Sequence, residues 1–599
     1  MRRALIPALI LTLLGVAFWQ SAAVRVDEAE RESPTLAADP PTGALLLDLD
    51  DDVDSEDRSR IGALLQRAIA PFDWSASDLG ETLSESAELH RLTVPESELD
   101  DIRELLRGDE DIEALEVERM WSLPESAEAF TLDTTADDGP EADRGRFKPD
   151  DPYYKHQWHL DQIQMPDAWA RTRGADVVVA VIDTGVLGTS RGRFKQAPDL
   201  AQTRFVPGYD FVDDDDQPDD EHGHGTHVAG TVAQSTNNGL GVAGVAPAAA
   251  IMPIRVLDAR GGGRWGSVAA GIRWAADNGA DVINLSLGGG TPSSAIRNAI
   301  AHAHSKGVVV VAAAGNTGRG RVQYPAAHRF AIAVGAVRYD ETLSFYSSYG
   351  RHLDVVAPGG DLRVDQNGDG LPDGVIQNTM VRGNPGRHDY IGYQGTSMAA
   401  PHVAGVAALI RAAGVRDPDA VERILKSTAK TKSDTRRYGS GLIQANAALR
   451  ASQQGAAGGR TGAALGLGLL VLFGLRRRKK LGAGIVPTLA VAGLSAGALA
   501  LVPWHLIGLG TLAVPASALG AIVSPWLLVA LGAAIPLVGA GLVARKPALA
   551  AGLSFGIAGV LIAEALTPTV VAAVWLGPVL VGLAAIATLI GRQTARKAA

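Results

Sequence analysis

The sequence predicts a doubly wound α/β domain with a mainly parallel sheet, preceded by a small α+β domain and followed by an all-α membrane region. Between Phe147 and Ala451, apolar runs with little alternation are separated by helical stretches that end in glycine, which is typical of strands buried on both faces of a parallel sheet. Between Thr42 and Leu123, strand and helix patterns alternate in short segments. After Gly455 the sequence is mostly apolar to its end.

Charge is distributed unevenly along the 599 residues, so the formal net charge of -11 does not describe one surface. From Arg460 to Ala599 the only acidic residue is Glu564, whereas the segment from Val24 to Arg144 is rich in Asp and Glu. The chain has no cysteine, which excludes disulfides, thiolate metal sites and a cysteine nucleophile.

Residues 1–23 have the layout of an export signal, with Arg2 and Arg3, then an apolar run, then small residues. The apolar run, Ala4 to Trp19, is shorter than the roughly 20 residues that cross a bilayer. This length favours a cleaved signal peptide over an uncleaved anchor.

The small domain, residues 42–123, has the pattern strand, helix, strand, helix, strand in "GALLLDLD", "RSRIGALLQRAI", "ELHRLTVP", "SELDDIRELLRG" and "IEALEVERMW". Residues 124–146 are polar and lack apolar periodicity, so we expect an exposed linker that is easily cut. In residues 147–451 the predicted strands are "DVVVAVID", "AIMPIRVLD", "ADVINLSLG", "GVVVVAAAGN" and "FAIAVGAV". In a sheet of this kind, functional sites gather at the carboxyl ends of the strands.

Residues 461–590 contain apolar runs that we interpret as a polytopic membrane region. Basic clusters at 476–480, 545–546 and 592–597 favour the cytoplasmic side of a membrane. With the preceding domains outside, an odd number of spans fits all three clusters, and we expect about five. The expected location is a cell-envelope membrane with the α/β domain extracytoplasmic.

Three glycine-flanked segments carry candidate chemistry: "VAVIDTGV" around Asp183, "HGHGTHVAG" around His224 and "GTSMAAPHVAG" around Ser397. A hydroxyl is a poor nucleophile at neutral pH, so acyl transfer needs an imidazole to accept its proton and a carboxylate to orient that imidazole. Each segment supplies one of these groups. We therefore expect the three residues to act together, with Asp183 accepting a hydrogen bond from His224.

A tetrahedral intermediate also needs hydrogen-bond donors for its oxyanion. The Asn316 side chain, after the strand "VVVVAAAGN", supplies one candidate donor, and the Ser397 N–H at a helix N-terminus supplies the second. Two alternatives stay open at this point. Ser397 is only a helix cap, or His222, His224 and His227 form a metal tripod, although their spacing fits no helix face.

In this order, "DTGV", "HGTHVAG", "AAAGN" and "GTSMAAPHVAG" resemble the subtilisin-like serine proteases, and the thermitase-like members most closely. The resemblance covers residues 151–451 and implies a subtilisin-like fold with serine endopeptidase activity. It assigns the triad and the oxyanion donor to Asp183, His224, Ser397 and Asn316. In the family the catalytic histidine is the first in "HGTHVAG", so His227 is not the base.

The resemblance further identifies two segments, "ARGGGRWGS" and "LSLGG", that pair with an extended peptide, and a specificity-pocket residue ahead of Tyr324. The implied substrate-binding residues are Gly261, Gly262, Gly263, Ser286, Leu287, Gly288 and Gln323. The small domain has the position and pattern of the family's propeptide. Its expected role is therefore that of an intramolecular inhibitor.

Calcium takes about 6–8 oxygen ligands, which closely spaced carboxylates and carbonyls provide. The resemblance implies one structural site at Asp210, Asp213, Asp215, Gln217 and Asp219. It implies a second at Asp151, Asp199 and Asn238. A third candidate is the loop with alternating oxygen side chains at Asp365, Asn367, Asp369 and Asp373, which resembles an EF-hand loop without its closing glutamate.

We therefore predict an exported, calcium-stabilised serine endopeptidase that is made as an autoinhibited precursor and tethered to a membrane. Its expected partners are peptide or protein substrates, its own propeptide and the membrane, with neither nucleic acid nor an organic cofactor. Two rival hypotheses remain: a pseudoprotease that presents peptides without cutting them, and a membrane transporter or sensor with a protease attached.

Overall fold

The computed structural model describes residues 39–50, 53–68, 88–94, 98–106, 108–109, 111–123, 130–131 and 147–453. The predicted signal peptide, most of the linker and the predicted membrane spans lie outside these ranges. Among the helices that the structure describes, none has the length and hydropathy needed to cross a bilayer.

The N-terminal described residues, 39–123, form a small α+β unit, called the small domain below. Its elements are β1 (Pro41–Leu49), α1 (Ser55–Ala68), β2 (Leu89–Thr93), α2 (Leu99–Leu105) and β3 (Ile112–Ser122). They follow one another in the order that the sequence pattern predicts. β1 is the middle strand and pairs antiparallel with both β2 and β3. A two-residue strand, β4 (Phe130–Thr131), follows this unit.

The two faces of β1 serve different cores, because successive side chains of a strand point to opposite sides of a sheet. Leu45, Leu47 and Leu49 are buried together with Ile61 of α1 in the small domain's own core. Leu46 belongs to the core of the residues that follow. The small domain therefore completes one of its faces by packing against the rest of the chain.

Residues 147–453 form the large domain. Its strands are β5 (Val178–Asp183), β6 (Arg204–Phe205), β7 (Tyr209–Asp210), β8 (Ala250–Arg255), β9 (Gly262–Arg264), β10 (Val282–Leu285), β11 (Val309–Ala313), β12 (Ala331–Val337), β13 (Val355–Pro358), β14 (Val375–Val381) and β15 (Asn384–Tyr393). Its helices are α3 (Trp158–Gln162), α4 (Met165–Trp169), α5 (His224–Ala233), α6 (Trp265–Asp277), α7 (Ser294–Ser305), α8 (Thr396–Ala412), α9 (Pro418–Thr428) and α10 (Thr435–Tyr438).

The central sheet has the strand order β13-β12-β11-β10-β5-β8-β6, with β7 also paired to β8. Every strand pair in it is parallel. β8, β10 and β11 are buried along their whole length, which explains their continuous apolar sequence. The predicted α/β fold with a largely parallel sheet is confirmed.

The strand order brings the carboxyl ends of several strands close to one point. β10 lies next to β5, although β8 precedes β10 in the sequence, so the connections leave this point toward opposite edges of the sheet. Loops after neighbouring strands diverge at such a switch point and leave a crevice there. The residues after β5, β10 and β11 are therefore the ones that can meet in one site.

Candidate active site

The carboxyl end of β5 places Asp183 beside His224, the first residue of α5. The His224 Nδ1 lies 2.7 Å from Asp183 Oδ1, and Asp183 is fully buried. Because an ionised carboxylate only accepts, Nδ1 carries the hydrogen and donates it. Burial by itself lowers the pKa of His224, but the charge of Asp183 and this hydrogen bond outweigh burial and raise it. This geometry orients the imidazole for proton transfer at Nε2.

Asp220 holds the turn that leads into α5, and the sequence motifs did not point to it. At 2.6–2.9 Å its carboxylate accepts from the hydroxyls of Thr184 and Thr226 and from the N–H groups of His222, Gly223 and Thr226. An acidic residue just before a helix is a capping signal, and this signal identifies Asp220 in retrospect.

Ser397, the second residue of α8, is 5% exposed and is bonded to the loop after β10. Its Oγ donates to the Ser286 carbonyl over 3.0 Å, and Ser286 Oγ donates to the Ser397 carbonyl over 2.8 Å. Asn284, which no motif identified, donates through Nδ2 to Ser286 Oγ over 2.9 Å. The hydroxyl of Ser397 thus bonds to Ser286 rather than to His224.

Two hydrogen-bond donors converge above Gly395. A Cβ on this residue would lie 3.5 Å from Asn316 Nδ2 and 3.6 Å from the Ser397 nitrogen, so both donors border the same small space. The φ of Gly395 is 151°, which favours glycine. Asn316 Oδ1 accepts from the N–H of Thr396 over 2.9 Å and from its hydroxyl over 2.8 Å, which turns Nδ2 toward that space. The predicted oxyanion donors are therefore together.

These groups suit acyl transfer. In such a reaction Ser397 Oγ would attack a carbonyl while His224 would take its proton and later give it to the leaving group. Asp183 stabilises the imidazolium, and the two donors above Gly395 stabilise the oxyanion. The geometry contradicts the reading of Ser397 as a helix cap alone, because the N-cap of α8 is Gly395 and Ser397 Oγ bonds to the Ser286 carbonyl.

His227 does not join His222 and His224 in a metal tripod. Its Nε2 lies 3.0 Å from the carbonyl oxygens of Val375 and Ile391, and therefore donates to them. Burial lowers the pKa of His227 to about 3, so the ring is neutral at physiological pH. His227 ties α5 to the β14–β15 hairpin and does not face the reacting groups.

One predicted substrate strand is already paired. β9 accepts β3 as an antiparallel partner, with Trp121 opposite Gly263 and Ser122 opposite Gly262. The N–H of Leu123 then donates to the Gly261 carbonyl over 2.8 Å. The small domain therefore lays its last strand along the segment that sequence reasoning assigned to substrate.

The second predicted segment, with Ser286, Leu287 and Gly288, lies across from the Tyr324 backbone. Gly289 and Tyr324 exchange backbone hydrogen bonds of 2.8 and 3.0 Å. Gln323 packs its side-chain amide against Gly315, where an added Cβ would lie 2.0 Å from Oε1. Gln323 is thus next to Asn316, and its effect on specificity stays a prediction.

The three predicted calcium sets differ in which groups neutralise their carboxylates. Asp210 and Asp213 bond to Arg255 at 2.7 and 2.6 Å, and Asp219 bonds to Arg191 at 2.7 Å. Asp215 Oδ1 accepts from the Gln217 N–H over 2.7 Å. Arginines therefore balance three carboxylates of this set, and a calcium ion there stays a prediction.

The second set comes together, and no Lys or Arg among the described residues forms an ion pair with its carboxylates. Asn238 Nδ2 donates to Asp199 Oδ1 over 2.9 Å, and the Asn238 N–H donates to Asp151 Oδ1 over 3.1 Å. Burial raises the pKa of Asp199 to about 8 and that of Asp151 to about 6, and the charge of Asp151 adds to the rise at Asp199. Two buried carboxylates suit a hard cation, whereas the Asn238 amide turns Nδ2 toward Asp199 and accepts from the Leu240 N–H through Oδ1.

In the third set, Asp365 accepts from the N–H groups of Gly368 and Gly370, which closes the loop on itself. Asp373 is 1% exposed, and its Oδ1 has no hydrogen-bond partner among the described atoms. Asn367 and Asp369 also accept from loop N–H groups. Over the described ranges as a whole, no three acidic or histidine side chains are arranged as metal ligands.

Comparisons with known proteins agree with this site. Residues 174–441 match the peptidase S8 model, described as the subtilase family. Thermitase from Thermoactinomyces vulgaris is 41% identical over 293 residues, which cover 49% of this chain and 95% of thermitase. M-protease from Shouchella clausii strain KSM-K16 is 37% identical over 405 residues, which cover 66% of this chain and 92% of that protein.

Among solved structures, one titled as proteases from Pseudoalteromonas arctica PAMC 21717 is 39% identical to this chain. It covers 51% of this chain and 99% of its own, with a TM-score of 0.45.

Proposed function

The chain belongs to the subtilase family of serine endopeptidases, and from this premise we propose that it is made as an autoinhibited precursor that cuts its own chain. The observation that carries the proposal is the pairing of β3 with β9, the strand expected to hold substrate. Peptide substrates of such enzymes add a strand to an exposed edge, and β3 uses the same backbone hydrogen bonds.

Side chains reinforce this docking. Trp121 packs edge-on against Trp265, with ring centroids 6.0 Å apart, and its ring covers Gly289. Burying an indole of this kind removes about 150–250 Å² of surface from water. Trp121 is 1% exposed, so the contact excludes solvent from this end of the cleft.

Charged side chains of the small domain also form hydrogen bonds with the large domain. The Glu116 carboxylate accepts from Ser293 Oγ over 2.5 Å and from the N–H groups of Ser294 and Ala295 over 2.8 and 3.2 Å. These groups form the N-terminus of α7, where negative charge is favoured. Glu118 bonds to Arg91 within the small domain and accepts from the Gly266 N–H over 3.2 Å.

The chain also touches the opposite flank of the site. β4 pairs antiparallel with β15, with Phe130 opposite Gly392 and Thr131 opposite Ile391. Leu123 lies on the β9 flank, so the same chain is held on both sides of Ser397. We therefore place the bond that is cut first in the six-residue stretch between these two anchors.

Mass spectrometry of the protein's N-terminus tests this proposal. Wild-type protein should lose the small domain from the covalent chain by a reaction whose rate does not depend on protein concentration. Ser397→Ala protein should stay uncut, should not react with a fluorophosphonate probe, and should be cut slowly when wild-type enzyme is added. An uncut wild-type chain that also fails to label would support the pseudoprotease alternative.

Subtilases bind calcium, and we assign structural calcium first to the set Asp151, Asp199 and Asn238. Its carboxylates are close and buried, and no described Lys or Arg pairs with them. An ion at 100 times its Kd raises the free energy of unfolding by about 2.7 kcal/mol. Chelation should therefore lower the Tm of wild-type protein, and Asp199→Asn should remove most of that shift. An equal shift in both proteins would move the assignment to the other two sets.

We further propose that residues 461–590 tether the enzyme to a cell-envelope membrane with the large domain outside. The apolar runs and the three basic clusters support this topology. Protease digestion of intact cells or spheroplasts should remove the large domain while the 476–480 cluster stays protected. Digestion of both regions from the same side would contradict the topology.

A further inference from the structure

The backbone carbonyl of Ser397 lacks the partner that a helix normally provides. In an α-helix, each carbonyl accepts from the N–H of the residue four positions later. Four positions after Ser397 is Pro401, which lies inside α8 and has no N–H. Ser397 is 5% exposed, and a buried carbonyl without a hydrogen bond costs free energy. Another donor is therefore needed at this carbonyl.

Ser286 supplies that donor. Its fully buried hydroxyl donates to the Ser397 carbonyl over 2.8 Å. In return, the Ser397 hydroxyl donates to the Ser286 carbonyl over 3.0 Å. Ser286 and Ser397, called the serine pair below, thus exchange two hydrogen bonds. The pair joins the first turn of α8 to the loop after β10.

Asn284 fixes the direction of the Ser286 hydroxyl. A hydroxyl has one hydrogen, and the Ser397 carbonyl can only accept it. The Asn284 atom that lies 2.9 Å from Ser286 Oγ is therefore the donor Nδ2. Asn284 is fully buried in β10, between β5 and β11, and its Oδ1 has no hydrogen-bond partner in the described part of the chain. Burying this amide is costly, so its bond to Ser286 explains its place in an apolar strand.

The serine pair restrains the groups of Ser397 that the reaction needs. The Ser397 N–H is one of the first four of α8, which have no partner inside the helix, and it borders the same space as Asn316 Nδ2. The bond from Ser286 holds the carbonyl of the same residue and so restrains the backbone that carries this N–H and the hydroxyl. Ser286 also begins the segment predicted to pair with substrate. The pair therefore relates Ser397 to both the oxyanion space and a bound peptide.

We propose that the Ser286 hydroxyl and the Asn284 amide are positioning groups for Ser397, which replace the hydrogen bond that Pro401 cannot make. This inference rests on the endopeptidase function and does not depend on the autoinhibited precursor. Misplacing a reacting group by about 1 Å can cost about 100-fold in rate. A partial loosening of Ser397 should therefore lower kcat about 10-fold.

The test measures kcat and KM of the purified protein for one peptide p-nitroanilide, with active sites counted by fluorophosphonate titration. Ser286→Ala should lower kcat about 10-fold and leave KM within about 2-fold. Asn284→Ala should lower kcat about 3-fold, because the hydroxyl remains and only its direction is freed. Ser452→Ala is the matched control, since it also removes a buried hydroxyl from a backbone carbonyl, and it should keep the wild-type kcat.

A peptide aldehyde provides a readout that a general loss of stability would not reproduce. Ser397 Oγ adds reversibly to the aldehyde carbon, and the resulting oxygen occupies the oxyanion space. Ser286→Ala should bind the aldehyde about 10-fold more weakly than wild type does and should bind the matched peptide alcohol equally well. Equal weakening for both peptides would overturn the proposal.

Pro401→Ala offers a rescue. It restores an N–H that can donate to the Ser397 carbonyl, so adding Ser286→Ala to this variant should cost less than about 2-fold in kcat. The proposal would be overturned by a wild-type kcat in Ser286→Ala, or by the same loss with Pro401 and with Ala at this position. A wild-type protein that does not cut the p-nitroanilide would instead contradict the endopeptidase function.

Discussion

The large domain buries β8, β10 and β11 along their whole length, whereas the small domain keeps only one face of β1 in its own core. The first arrangement holds the predicted catalytic groups in place because these strands are buried along their whole length. The second leaves Leu46 and Trp121 to be covered by the other domain. The large domain thus holds the predicted catalytic groups in place, and the small domain depends on the large domain to bury part of its apolar surface.

This difference predicts where substitutions act. Changes at the carboxyl ends of large-domain strands should alter chemistry with little loss of stability. Changes in the small domain should alter docking or local unfolding and leave the chemistry of the matured enzyme intact.

The largest effect is expected for Asp183→Asn. Loss of the carboxylate that fixes the His224 tautomer costs about 10⁴-fold in kcat in serine proteases. The Asp183 charge raises the pKa of His224, and the base must be neutral, so activity falls as pH decreases through that raised pKa. The variant's residual activity should therefore persist to lower pH. Measuring kcat/KM against pH checks both points, with Asp277→Asn, a surface substitution, as control.

Asn316→Ala comes next. In subtilisin, a member of the same family, removing the equivalent donor costs about 100- to 1000-fold in kcat. KM should change little, because the donor acts on the oxyanion. Tm should fall, because the buried Thr396 N–H and hydroxyl both lose the Asn316 Oδ1 acceptor. A large rise in KM with unchanged kcat would show that Asn316 binds substrate instead.

Glu116→Gln tests the small domain's side of the comparison. It removes a charge from three hydrogen bonds at the start of α7. A hydrogen bond to a charged group contributes about 1.5 kcal/mol or more, so the cleaved small domain should inhibit about 10-fold less tightly. The inhibition constant in trans measures this loss. Asp101→Asn, exposed on α2, should leave the constant unchanged.

The smallest effect comes from a matched pair, Ile61→Val in α1 and Ile300→Val in α7. Both isoleucines are fully buried and helical, so each change should cost about 0.5–1.5 kcal/mol. In Ser397→Ala precursor, hydrogen exchange should accelerate throughout the small domain for Ile61→Val. For Ile300→Val it should stay unchanged around β10. Equal, global acceleration in both would mean that the two domains unfold as one unit.

Much of the site was predictable because its motifs lie at strand and helix ends. Asp183, His224, Asn316 and Ser397 end buried strands, follow them or lie in the first turn of a helix. The structure bonds His224 to Asp183 and places the Asn316 amide and the Ser397 N–H beside one space, while their roles stay predictions. Asp220 and Asn284 were missed, since a buried polar residue that holds other residues leaves no motif of its own. The signal for Asp220, an acid ahead of a helix, is common to many caps without function.

The sequence by itself determined the order of elements and the identity of the reacting groups, because apolar periodicity and side-chain chemistry are local properties. The tertiary structure alone decided which charges face each other. Arg255 and Arg191 come to Asp210, Asp213 and Asp219 from distant positions in the chain. Likewise, β9 joins the sheet of the small domain as the partner of β3, far earlier in the chain. Such pairings depend on long-range packing, in which each partner's burial and desolvation are set by elements far away in sequence.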